Sequence, residues 1–114
     1  MISEIEFAQG DIVAVPFPYT DRQTEKRRPA LVISNGKVSR DHGLVWLAMI
    51  TSADNQCWEN DIAVEGKSTG LSSPSVIRVA KLATIDASLI IRVAGKIDDE
   101  TRSKVFSALQ DNLK

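Results

Sequence analysis

Short apolar runs, separated by polar stretches marked with Gly, Pro, Asn and Asp, dominate the chain, and the period changes only near its end. Ile12-Val-Ala-Val15 follows the turn signal Gly10-Asp11 and reads as a buried strand. It is ended by Pro16-Phe17-Pro18, because proline has no N–H to give to a ladder. Pro29-Ala-Leu-Val-Ile-Ser34 reads as a second strand, with Pro29 at the tolerated first position and Arg28 biased towards extended backbone. Residues 44–51 form a third; every position from Leu44 to Ile50 is apolar, so both faces are expected to be covered. Asp61-Ile-Ala-Val-Glu65 alternates like a half-buried strand, residues 75–80 and 81–85 read as two extended segments, and residues 90–97 as a last strand. Of the polar connections, residues 35–43 carry turn signals at both ends and read as a turn. Residues 19–28 make a long loop, a kind that often carries function.

Beyond Ile97 the spacing turns helical. Asp98 is the expected N-cap, Asp99 and Glu100 suit the first turn, and Val105, Phe106, Leu109 and Leu113 mark the apolar stripe. The helix should run about four turns. The fold expected is mainly β (α+β): a small, strongly curved sheet or barrel with a C-terminal helix packed on it. At 114 residues, without repeat or linker, residues 1–114 read as a single domain.

Composition narrows the class. With 43% apolar and 25% charged residues the chain is neither a disordered tail, a collagen-like fibre nor a coiled coil. Its longest apolar run, residues 44–50, falls far short of the ~20 needed to span a bilayer. The opening Met-Ile-Ser-Glu-Ile-Glu lacks the marks of a signal peptide, and Cys57 has no second cysteine to pair with, so a cytoplasmic location is expected. One His and one Cys argue against a zinc site, and no cofactor is expected. The net charge of −1 argues against a general nucleic-acid binder. Placement qualifies that: Arg22, Lys26, Arg27 and Arg28 gather within seven residues and form a local basic patch.

Hairpin geometry points to a site. If the second and third strands pair about a connection centred near Ser39, residue 28 faces residue 50 or 51, and Arg28 and Thr51 lie roughly 5 Å apart at the open end. An arginine fork and a hydroxyl converging there can hold a phosphate; the plain alternative is an exposed arginine and a strand-end threonine with no task. Trp58, in the polar loop after Thr51, either offers an exposed ring for stacking or covers the barrel mouth. Trp46 reads as core or dimer interface, and His42 as a turn residue at the far end of the hairpin.

The segment Gly10-Asp-Ile-Val-Ala-Val-Pro-Phe-Pro-Tyr-Thr-Asp21 resembles the opening of the MazF/PemK family of toxin endoribonucleases. Lys26-Arg-Arg-Pro-Ala-Leu-Val-Ile-Ser34 resembles the family's most characteristic segment, and Ile50-Thr-Ser52 its next signature. Gly70-Leu-Ser-Ser-Pro-Ser-Val-Ile-Arg78, Leu82-Ala-Thr-Ile-Asp86 and Gly95-Lys-Ile97 are similar to its later part, so the likeness covers about residues 7 to 113.

The resemblance implies an SH3-like or CcdB-like barrel and a homodimer. It also implies metal-independent, sequence-specific cleavage of single-stranded RNA, with a cognate antitoxin protein as partner in a type II toxin–antitoxin system. It implies catalytic roles for Arg28, Thr51 and Arg78, with Arg22, Lys26, Arg27, Ser52 and Trp58 as substrate-binding candidates. Some relatives carry Arg-x-Asp where this chain has Arg78-Val79-Ala80, so the carboxylate is missing: either another acid such as Asp21 or Glu25 substitutes or Arg78 only binds phosphate, and a structural salt bridge is the plain alternative for Arg78. Two alternatives remain: a non-catalytic, gyrase-poison type of toxin on the same fold, and a decayed relative that binds only RNA or antitoxin. The end Gln110-Asp-Asn-Leu-Lys114 lacks the tryptophan that gyrase poisons use.

Overall fold

The computed structural model describes residues 5–18 and 26–114. Arg22, Asp21 and Glu25, named above as candidates, lie outside the described residues. Six antiparallel strands form one curled sheet, a half-barrel: β1 (Asp11–Pro16), β2 (Arg27–Val32), β3 (Leu44–Ser52), β4 (Ile62–Val64), β5 (Ser75–Asp86) and β6 (Arg92–Lys96). Their spatial order is β4-β5-β3-β2-β1-β6. Two α-helices stand among the described residues, α1 (Gly36–His42) and α2 (Asp99–Leu113).

Alternation along the central strands sends side chains to two cores. Ile12, Leu31, Ala48, Ile50, Ile77 and Val79 fill one face, where Val105, Phe106, Ala108 and Leu109 of α2 cover them. Val13, Val15, Ala30, Val32, Val45, Leu47 and Met49 fill the other, with Ile85, Leu89 and Ile90 beside them. The uninterrupted apolar run of β3 is therefore needed on both faces, as its sequence requires. Trp46 is the exception: it is 48% exposed and does not join the core. Leu113 also departs from the expected stripe, standing 83% exposed at the C-terminal end of α2.

The edge strands β4 and β6 share no ladder. A 3-10 turn at Lys67–Thr69 bridges them by lying against β6. The approach is so close that a Cβ on Gly70, at φ +71°, would sit 2.1 Å from the Ala94 carbonyl oxygen. One on Gly95 would meet the Ser68 oxygen at 2.3 Å. Only glycine fits either position.

Residues 35–43, read as a turn, instead form α1. Asn35 caps it by accepting the Lys37 N–H at 3.0 Å, and Gly43 ends it in the left-handed conformation. The turn residues thus act as caps. α1 buries no residue, so no apolar stripe betrays it in the sequence. His42 occupies its last turn, where a helix end favours a cation. α2 is capped as expected: Asp98 Oδ1 accepts the Thr101 N–H at 2.8 Å, and this hydrogen bond holds the Asp98 carboxyl below its ordinary range.

The two extended segments at residues 75–85 are one strand, β5, broken by a bulge. Neighbouring Ala48 and Met49 of β3 face Leu82 and Arg78, which leaves Val79, Ala80 and Lys81 without ladder partners. The last strand starts later than expected, at Arg92, because Ile90 closes a short 3-10 turn and is buried in the core.

Candidate active site

β2 and β3 pair Ala30 with Met49, Leu31 with Ala48 and Val32 with Leu47. Continued by two residues, that register sets Arg28 opposite Thr51. Both then fall on the sheet face that carries Ala30 and Met49. β1 brings Phe17 to the same end, and β5 brings Arg78, paired with Met49, and the bulged Lys81. These strand ends enclose a cleft of about 110 Å³ lined by Phe17, Arg28, Met49, Ile50, Thr51, Arg78 and Lys81.

The chemistry of the cleft is cationic. Arg28 is exposed, and its guanidinium lies 5.0 Å from the centre of the Phe17 ring. That contact positions the fork without consuming its N–H donors. No acidic partner faces Arg28 among the described residues. Thr51 Oγ1 accepts a hydrogen bond from Asn55 Nδ2 at 2.6 Å, which leaves its own proton to be donated.

Arg78 is held quite differently. Its Nη2 lies 2.9 Å from Asp61 Oδ2 and its Nε 3.3 Å from both carboxylate oxygens; Nη2 also donates to the Gln56 carbonyl at 2.7 Å. The side chains of this pair are only 11% and 4% exposed. The guanidinium lies 4.1 Å from the centre of the Trp58 ring, which is itself 44% exposed. The turn that makes this possible is tight: Trp58 N–H donates to Asp61 at 2.9 Å, and Asn60 takes φ 70°, a conformation asparagine tolerates. Burial pushes the Asp61 carboxyl up, but the hydrogen bonds from Arg78 and Trp58 and the Arg78 charge outweigh it and leave the group below its ordinary range. The carboxylate missing at Ala80 is thus matched by Asp61, from the segment before β4.

Of the sequence candidates, Arg28, Thr51 and Arg78 line one cleft, and Trp58 joins them through Arg78. Ser52 does not line it; its Oγ accepts the Asp54 N–H in the turn that follows. Lys26 and Arg27 are exposed beside it, and alternation turns Arg27 to the opposite face from Arg28. His42 lies on α1, at the other end of the β2–β3 pair. Sequence reasoning missed Phe17, Asn55, Asp61 and Lys81; all but Asn55, four residues from Thr51, depend on contacts across elements that no local pattern signals. A larger hollow of about 280 Å³ near the start of α2 has Glu65 and Asp98 as its charged lining, the wrong sign for a phosphate.

Comparison with known proteins follows the same line. The family described as the PemK-like, MazF-like toxin of type II toxin-antitoxin systems matches residues 8–113. Curated proteins yield no match. Among solved structures, the Mycobacterium tuberculosis toxin MazF-mt6 is 20% identical with a TM-score of 0.73, covering 90% of this chain and 95% of that one. The MazE-MazF structure (Form-II) from Deinococcus radiodurans is 19% identical with a TM-score of 0.74, covering 97% of both chains. An endoribonuclease in complex with its cognate antitoxin, from a Mycobacterial species, is 17% identical with a TM-score of 0.75 and 95% coverage of both. These structural likenesses establish the fold, and the family match spans nearly the whole chain: the protein belongs to the PemK-like, MazF-like toxins of type II toxin-antitoxin systems.

Proposed function

We propose that the protein is an endoribonuclease that cuts single-stranded RNA without a metal ion, and that the cleft at Arg28 and Thr51 is its active site. The observation that carries this reading is the shared cleft: a guanidinium with its donors uncommitted among the described residues and a threonine hydroxyl line it together, at a loop-lined sheet end. The substrate's 2′-hydroxyl attacks the adjacent phosphorus and the bond to the 5′-oxygen breaks. The products are a 2′,3′-cyclic phosphate and a 5′-hydroxyl. Such a reaction needs orientation of the reacting groups and stabilisation of the added charge on the phosphorane. Arg28 supplies a planar pair of donors to the non-bridging oxygens and acts by its charge. Thr51 donates to a phosphate oxygen while Asn55 fixes the position of its Oγ1. Arg78 forms a fixed wall and sets the tilt of Trp58, whose outer ring face can stack an unpaired base, worth ~1–3 kcal/mol. Lys26, exposed beside the cleft, extends the basic surface along the RNA backbone. Incubating the purified protein with a long single-stranded RNA in EDTA and mapping the fragment 5′ ends tests the reading: cuts recurring at one short sequence support it, and intact RNA refutes it.

The partners proposed are a cognate antitoxin and a second copy of this chain. A MazE-MazF structure and a complex with a cognate antitoxin are among the solved relatives. An acidic antitoxin segment would compete for the same basic patch, so saturating antitoxin should abolish RNA binding; undiminished binding would place inhibition elsewhere. For the homodimer, the support is Trp46 with Leu82, 48% and 51% exposed. Leu82 pairs with Ala48, so both stand on the face that α2 covers only in part. Sedimentation at tens of micromolar should give the mass of two chains, and a monomer there would contradict the assignment.

A further inference from the structure

β5 brings two cations into the cleft, Arg78 and Lys81, and their conditions differ. The Arg78 charge is balanced by the Asp61 carboxylate at 2.9 Å, its Nε and Nη2 are hydrogen-bonded, and the Trp58 ring covers it. Little of that charge is left for a ligand. The Lys81 side chain is exposed and makes no hydrogen bond or ion pair among the described residues, yet it lines the same cleft as Arg28 and Thr51.

Its presence there needs an explanation. In an unbroken strand, residues three apart point to opposite faces, so Arg78 and Lys81 could not share a cleft. The bulge removes that restriction. With Val79, Ala80 and Lys81 unpaired between Arg78 and Leu82, Val79 still fills the α2-side core, and Leu82 returns to that same side opposite Ala48. Lys81 is left on the other side, beside Met49 and Thr51. A bulge of this kind forfeits ladder hydrogen bonds, and bulges next to active sites commonly re-aim a side chain.

We propose that Lys81 is the second phosphate-binding cation of the site, acting with Arg28 on the scissile phosphodiester. This rests on the RNA-cleavage reading above. Arg28 offers a rigid fork, whereas Lys81 offers a point charge on a flexible stem that can follow the phosphate as its negative charge grows. One cation from β2 and one from β5 approach the cleft from the two sides of β3, with the Thr51 hydroxyl between them.

The test uses the full chain and a single-stranded RNA oligonucleotide containing a mapped cleavage site. Single-turnover cleavage is measured for the wild type, Lys81→Ala, Lys81→Gln, Lys81→Arg and the control Lys37→Ala on α1. Binding of the same oligonucleotide with a 2′-deoxy residue at the cut is followed against salt. Both neutral variants should cleave about 10²-fold more slowly. Their log–log salt slope should be shallower by about 0.7, the loss of one phosphate contact to a single strand. Lys81→Arg should restore most of the rate and the slope, and Lys37→Ala should match the wild type. Wild-type rate and slope in both neutral variants would overturn the Lys81 assignment alone. A wild type that leaves the RNA intact would overturn the cleavage reading, and this inference with it.

Discussion

Replacing Arg28 by alanine should reduce RNA cleavage by about 10²–10³-fold, the usual cost of removing one preorganised donor to a developing oxyanion. The fold should be unaffected, because Arg28 is exposed and its side-chain contact is with the Phe17 ring. Arg28→Lys should fail almost as badly. Lysine keeps the charge but cannot make the planar two-pronged contact, and it is the weaker partner for the Phe17 face. The Thr51→Ala loss should be smaller, since a neutral hydroxyl contributes less than a charged fork. Single-turnover rates, with circular dichroism as the control for folding, check the set. Near-native turnover in Arg28→Ala would remove Arg28 from the site.

The second large effect is on stability. Asp61→Ala should destabilise the protein by about 3 kcal/mol, since it leaves the nearly buried Arg78 guanidinium without its counter-charge. For a chain of this size that is a fall in Tm on the order of 10 °C. Asp61→Asn should cost less, because an amide oxygen still accepts from Arg78. The pair also gives stability a pH dependence. The folded-state pKa of Asp61 is depressed, so its contribution is present in full above the ordinary carboxylate range and is lost as pH falls through the lower folded value. The advantage of wild type over Asp61→Asn in thermal melts should therefore shrink as pH falls below the ordinary carboxylate range. Parallel melts across the whole range would mean that the ion pair contributes nothing to folding.

The hairpin register was legible because it depends only on where the pairing is centred. Residues 35–43 form a helix and not a turn, yet they still return the chain about the same point, so Ala30 pairs with Met49 in the expected register and Arg28 and Thr51 line one cleft. The two-sided core was legible from the unbroken apolar run of β3, and the capping of α2 from Asp98. Three features were not legible, each for a physical reason. α1 buries nothing, so its period is silent. The bulge in β5 depends on how Met49 and Ala48 of another strand pair, and the sequence around Ala80 looks like an ordinary break between two short strands. The Asp61–Arg78 pair joins residues 17 positions apart, across a loop that no periodicity describes. Against the family pattern Ala80 stands for a lost carboxylate, whereas in three dimensions Asp61, from the segment before β4, places a carboxylate beside Arg78.

The most direct test of the central claim is the chemistry of the cut. A single-stranded RNA oligonucleotide with one mapped site is compared, in EDTA, with the same oligonucleotide carrying a single 2′-deoxy residue on the 5′ side of the scissile bond. The account predicts that the all-RNA strand is cut to fragments ending in a 2′,3′-cyclic phosphate and a 5′-hydroxyl, and that the 2′-deoxy strand binds but stays whole. Cleavage of the 2′-deoxy strand at the same bond, or fragments with 5′-phosphate ends, would contradict attack by the substrate's own hydroxyl and the roles assigned to Arg28 and Thr51.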